Sequence, residues 1–199
     1  MWWRRRARAW TSGGEWSSEL ELLRQRVTLR PGLTPKELER AEEIHRFRFP
    51  PDLRSLLSHA LPRGPDFPDW RKPKSAALIR QMTWPFRGMA FDIERNAFWW
   101  PPWGPRPAAL ADALALAKSA VEAAPRLIPI FGHRYLPAEP EEAGNPVFSI
   151  YQTDIIHYGK DLRSYLANEF GGPGPNIVIV GGTLRRIRFW TDLVDANDR

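Results

Sequence analysis

Two carboxylates beside a run of tryptophans are the residues of this 199-residue chain best suited to chemistry. Asp92, Glu94 and Asn96 lie between Trp84-Pro85-Phe86 and Phe98-Trp99-Trp100-Pro101-Pro102-Trp103. Paired acids flanking a ring-stacking surface are what a glycoside hydrolase needs, one as proton donor and one as base or nucleophile. Met89-Ala90-Phe91-Asp92-Ile93 alternates as a strand does, and two residues apart on a strand is the same face, so Asp92 and Glu94 would look the same way. The same spacing is also common on an ordinary solvated strand face. The tryptophans carry more information. Each buries on the order of 200 Å² in a core, and the chain has ten. A fold of this size has more of them than its interior needs, so some should form a surface for protein contacts, sugars or stacked bases.

Other chemistries find less support. The four histidines, His45, His59, His133 and His157, form no His-x-x-x-His or His-x-x-His pair, so no zinc-protease spacing is present. There is no cysteine, which removes disulfides, thiolate metal sites and cysteine nucleophiles together. No Gly-x-Ser-x-Gly elbow occurs, so acyl transfer has no positive sign. Gly181-Gly182-Thr183, after the β-prone Ile177–Val180, reads as a turn with Thr183 capping a helix more readily than as a phosphate cradle. No cofactor and no metal are expected.

The net charge is +6, with 24 Arg against 5 Lys. That suggests an acidic partner, nucleic acid included. Yet residues 1–14 hold four Arg and no acid, and without them the charge falls to +2. The densest basic run in the remainder is Arg185-Arg186-x-Arg188. Nucleic-acid binding therefore ranks third among the function classes. No uncharged apolar run reaches the roughly 18–20 residues of a membrane span. The arginines near the start are followed by Thr11-Ser12-Gly13-Gly14-Glu15, not by the apolar stretch of an export signal. The expectation is a cytoplasmic protein with no membrane partner.

Residues 1–16 read as a disordered basic tail and 17–199 as one domain. Ser17 to about Thr28 is helical, with Leu20, Leu23 and Val27 on one face. Thr34-Pro35-Lys36-Glu37 is a capping box with proline at the first helical position, opening a helix to about Arg46. A second helix follows Phe49-Pro50-Pro51-Asp52 and turns Leu53, Leu56 and Leu57 inward. Residues 62–73 are loop, with Trp70 plugging an apolar gap, and 75–82 make a short helix. Ala108–Ala124 is a helix stopped by Pro125. Leu127–Gly132, Val147–Tyr151 and Asp154–Gly159 are strands, the last two a hairpin across Gln152-Thr153. Asp161–Phe170 and Leu184–Val194 are helices. This order gives an α+β fold with a mainly antiparallel sheet flanked by N-terminal, central and C-terminal helices.

Several of these segments together resemble the SUKH superfamily, the Smi/Knr-like proteins that include a yeast cell-wall synthesis regulator and many bacterial toxin-immunity proteins. The segments are Gly32-Leu33-Thr34-Pro35-Lys36-Glu37-Leu38-Glu39-Arg40-Ala41-Glu42, then Phe49-Pro50-Pro51-Asp52-Leu53-Arg54-Ser55-Leu56-Leu57. Leu127-Ile128-Pro129-Ile130-Phe131-Gly132, Asn145-Pro146-Val147-Phe148-Ser149 and the helix Leu162–Phe170 continue the likeness. It covers roughly 32–170 and leaves 171–199 as a C-terminal extension. The chain departs from the pattern at His59-Ala60-Leu61-Pro62-Arg63-Gly64 and at Gly132-His133-Arg134-Tyr135, in loops that would line a recognition face.

The resemblance implies a non-enzymatic, bacterial protein-binding module, immunity-like or regulatory, whose partner is another protein such as a toxin domain. The expected contact surface is Trp84, Asp92, Glu94, Trp99, Trp100, Trp103, Tyr135, Tyr151, Asp154 and Tyr158. The alternative is a small-ligand or carbohydrate-binding protein, with hydrolysis by Asp92 or Glu94.

Overall fold

Thr34 and Glu37 close a reciprocal cap in the computed structural model, which describes residues 15–172 and 184–197. The Glu37 backbone N–H donates to Thr34 Oγ1 at 3.3 Å, and the Thr34 N–H donates to Glu37 Oε2 at 2.8 Å. Two helical donors that would otherwise lack partners are thereby satisfied. The helix they open, α2 (Pro35–His45), turns Leu38 and Ala41 inward. Before it come α1 (Ser17–Arg24) and β1 (Thr28–Pro31), and after it α3 (Pro51–His59) and β2 (Ala60–Arg63). Strands β1 and β2 pair antiparallel, Thr28 opposite Arg63. Both lie where the sequence reads as helix end and loop. Gly32 permits the approach of β1 to α3, since a Cβ there would overlap the Ser58 carbonyl.

A long helix α4 (Ala76–Arg95), a 3₁₀ turn (Pro101–Trp103) and α5 (Leu110–Ala123) lead into the main sheet. Its strands are β3 (Leu127–Phe131), β4 (Arg134–Pro137), β5 (Val147–Tyr151) and β6 (Asp154–Gly159), in sequential antiparallel order. Helices α6 (Leu162–Phe170) and α7 (Trp190–Asn197) complete the described chain. The protein is thus α+β, with both sheets antiparallel.

Side chains alternate across the main sheet with the two-residue period of a strand, and both faces are covered. Ile128, Ile130, Leu136, Val147 and Tyr158 join a core with α1, α2, α3 and α6. Tyr135, Phe148, Ile150 and Ile155 join a second core with α5, α7 and the C-terminal half of α4. Trp70 fills a gap in the first, edge-on to Phe49 at 5.0 Å. Trp16 is also in that core, its indole N–H donating to Ser55 Oγ at 2.9 Å. Trp16 is therefore part of the packed chain and not of the tail expected over 1–16, and residues 1–14 lie outside the described residues.

Three further expectations change. Met89–Ile93 is helix, not strand, and 75–82 is the beginning of that same 20-residue helix. The final helix starts at Trp190, although Ile187, Trp190, Leu193 and Val194 are all buried as its pattern required. Strand β4 goes unforeseen because it is only four residues long, follows a two-residue turn and ends in Pro137. Ile177–Val180 and Gly181-Gly182-Thr183 lie outside the described residues.

Thr34→Ala should lower the unfolding free energy by about 1 kcal/mol, measured by urea denaturation. Donation from the Thr34 backbone first, and from the hydroxyl that the substitution removes second, holds the Glu37 carboxyl below its usual pKa of 4.5. That stabilisation is complete above the unfolded value and is lost as pH falls through the lower folded one. The Thr34→Ala penalty should therefore shrink in acid.

Candidate functional site

A proline sits in the middle of α4, and the site depends on how its consequences are absorbed. Pro85 has no N–H to give, which orphans the carbonyl of Gln81 four residues earlier. The hydroxyl of Tyr135 on β4 donates to that carbonyl at 2.8 Å. Tyr135 is fully buried, and burial pushes its hydroxyl well above the usual tyrosine pKa. It stays protonated and remains a donor across the physiological range.

Three more contacts lie along the same stripe of α4. The Trp84 indole N–H donates to the Ile150 carbonyl at 3.1 Å. Gly88 passes so near the β5–β6 turn that a Cβ would stand 2.8 Å from Gln152 Cα. One oxygen of Asp92 accepts from the Thr153 backbone N–H at 2.9 Å and from its hydroxyl at 2.6 Å. The other oxygen accepts from Asn96 Nδ2 at 2.6 Å. Gln152 has φ +57°, the left-handed region that a residue with a side chain seldom enters, and Asp92 fastens the next residue in place. Positions 81, 84, 88 and 92 follow the helical period, so α4 is clamped along one line to β4 and the β5–β6 hairpin.

This geometry sorts the expected surface. Asp92 is buried with both oxygens occupied by neighbours, whereas Glu94 is exposed. Because the segment is helix, residues two apart point about 200° from each other. The two carboxylates share no face, contrary to the strand reading. Trp99, Trp100 and Trp103 are half-buried and cover the second core, Trp103 edge-on to Trp99 at 5.1 Å and to Trp100 at 5.8 Å. Trp100 also meets Phe189 at 5.4 Å. Tyr158 is buried under the Arg134 guanidinium, 3.7 Å above its ring. Tyr135 is the buried brace described above, not an exposed contact.

Trp84, Tyr151 and Asp154 do reach the surface. Trp84 is 39% exposed and Tyr151 54%, with ring centroids 6.3 Å apart. Asp154 pairs with Tyr151 across the hairpin turn. Beneath them is a cavity of about 410 Å³, walled by α4, Pro65-Asp66 and Gly132-His133, with Tyr135 also lining it. His133 stands 6.1 Å from the Tyr151 ring. Burial first, and the Arg134 charge second, hold its imidazole below the usual pKa, which favours the neutral form at pH 7.

Sequence reasoning missed Arg80 and Arg87. Both are exposed, both line the cavity, and neither guanidinium has a hydrogen-bond or ion-pair partner among the described residues. The densest basic run behaves oppositely. Arg185 pairs with Glu142 at 3.0 Å, Arg186 with Asp192 at 2.7 Å and Asp195 at 2.8 Å, and Arg188 with Glu139 at 3.6 Å. The signal for Arg80 and Arg87 was helical spacing. Once 76–95 is one helix, Arg80, Trp84, Arg87 and Phe91 fall at i, i+4, i+7 and i+11.

Among the described residues, no three His, Cys, Asp or Glu side chains lie where they could share a metal ion, and no helix is long and apolar enough to cross a membrane. Comparison with protein-family models, curated proteins and solved structures gives no match for this chain. The site is read from its own chemistry.

Tyr135→Phe should cost about 1–3 kcal/mol, because a buried carbonyl loses its donor. Pro85→Ala restores a helical N–H to Gln81. In that background Tyr135→Phe should cost less, and a double-mutant cycle in urea measures the difference.

Proposed function

We propose that this chain is a non-enzymatic protein-binding module, an immunity-like or regulatory protein that binds and controls a partner protein. The observation that carries the reading is the outward stripe of α4, Arg80-Trp84-Arg87-Phe91, with Tyr151 beside it. Phe91 is 46% exposed, and Ile79 at the start of the helix 47%. Trp, Tyr and Arg are the residues that dominate binding energy where proteins meet.

Rigidity supports the same reading. Trp84 is pinned by its N–H to Ile150, and its helix is clamped to the hairpin that carries Tyr151. An aromatic surface held in place before contact loses little conformational entropy on binding. One of the two departures from the SUKH pattern also falls here, since the Gly132-His133 turn forms one wall of the cavity. A chain of that kind keeps its scaffold and varies its recognition loops. The glycosidase alternative loses its geometric basis with the separation of Asp92 from Glu94.

Co-expression with the product of the adjacent gene tests the proposal. A stable complex is expected, and Arg87→Glu with Tyr151→Ala should weaken it about a hundredfold, as two hot-spot losses of about 1.4 kcal/mol each would. A complex untouched by those changes would move the interface elsewhere. The immunity reading fails if the neighbouring gene encodes no toxin and no specific complex forms.

A further inference from the structure

From the charge and shape of the cavity beside α4 we infer that the partner segment it receives is acidic and anchored by a large aromatic side chain. This rests on the protein-binding reading above and specifies its chemistry. Arg80 and Arg87 are seven residues apart on one helix, about 10 Å along its axis. Trp84 stands between them. Among the described residues Asp66 is the only acid lining the cavity, which also holds the imidazole of His133. Two cations without internal partners therefore flank an apolar hollow.

The hollow is of a size to act as an anchor pocket. About 410 Å³ is at the small end of ligand sites, room for one large side chain with some of its backbone. Its walls are tied together, which keeps it open without an occupant. The Asp66 carbonyl accepts from the Gly132 N–H at 2.9 Å and from Gln81 Nε2 at 3.2 Å. Trp84 and Tyr151 offer ring faces and edges to an aromatic guest, contacts worth about 0.5–1.5 kcal/mol beyond area burial. The guanidinium groups favour carboxylates on either side of that guest, and their planar forks suit them.

A nucleic acid would use the arginines but would need a continuing basic track for successive phosphates. The densest basic run does not provide one, since Arg185, Arg186 and Arg188 are paired with acids. The protein partner is the better fit.

The probe is a fluorescently labelled random copolymer of glutamate and tyrosine, with polyglutamate of equal length and a thymidine oligonucleotide as the other arms, read by anisotropy on the full chain. The copolymer should bind about fivefold tighter than polyglutamate, the gain expected of an aromatic anchor. Arg80→Glu with Arg87→Glu should weaken copolymer binding at least about tenfold, and Arg80→Gln with Arg87→Gln should do so in part, guarding against a folding defect in the reversal. Tyr151→Ala should abolish the preference over polyglutamate. Equal binding of the two polymers, or tighter binding of the oligonucleotide, would overturn the inference. Failure here while the co-expressed complex still depends on Arg87 and Tyr151 would mean the wrong partner chemistry on a real interface. Failure of both would remove the binding-module reading as well.

Discussion

One hydrogen bond, from the Tyr135 hydroxyl to the Gln81 carbonyl, lets a proline stay in the longest helix of the protein. An interior proline costs a helix about 3 kcal/mol or more when nothing compensates. Here the compensation comes from the sheet, so the continuity of α4 and its docking on β4 are the same event. Everything on the outer side of the helix follows. Trp84 can reach Ile150 only because the turn after Gln81 is held close, and Asp92 can reach Thr153 only because Gly88 lets the backbones approach. The aromatic surface is a by-product of inward constraints repeated along one stripe. With Met89 and Ile93 turned into the second core and this stripe tied to the hairpin, Arg80, Arg87 and Phe91 are left outward.

The charge of the protein has a different meaning once its arginines are placed. A net +6 suggests a basic face, but most of the cations in the folded part do structural work. Arg48 and Arg54 meet the buried Glu42 at 2.9 and 2.5 Å, Arg163 meets Glu19 at 2.7 Å, and Arg71 meets Glu37 at 3.0 Å. Glu42 also accepts from the Phe49 N–H at 3.1 Å, which fixes the passage from α2 to α3. For the proposed interface, the cations that count are those without such partners. Arg80 and Arg87 belong to them, on the helix whose inward face is already committed.

Much of the fold was legible because local signals agreed with burial. The capping box at Thr34, the inward Leu53, Leu56 and Leu57, the hairpin at Gln152-Thr153 and the buried Trp70 all emerge where pattern and turn chemistry placed them. The failures share a cause, which is a partner distant in sequence. Pro85 and Gly88 look like helix breakers until Tyr135 and Gln152, 50 and 64 residues later, supply the reason for each. With the helix cut there, Met89–Ile93 reads as a strand, and Asp92 and Glu94 read as a matched pair. Strands β1 and β2 were hidden for a similar reason. Each is four residues long and contains a proline, and they pair with each other across two intervening helices.

The same logic explains where the tryptophans of the expected surface sit. A cluster of three tryptophans in six residues draws attention, yet Trp99, Trp100 and Trp103 form the lid of a core shared by α4, α5 and α7. A core roofed by irregular chain has few backbone-regular side chains to seal it, and large rings at loop positions do that sealing well. Among the described residues, the isolated Trp84 is the tryptophan whose ring the fold leaves most exposed while its N–H is bonded to the sheet. A tryptophan with a buried polar handle and an exposed face is anchored, oriented and available, the three properties that the proposed contact surface asks of it.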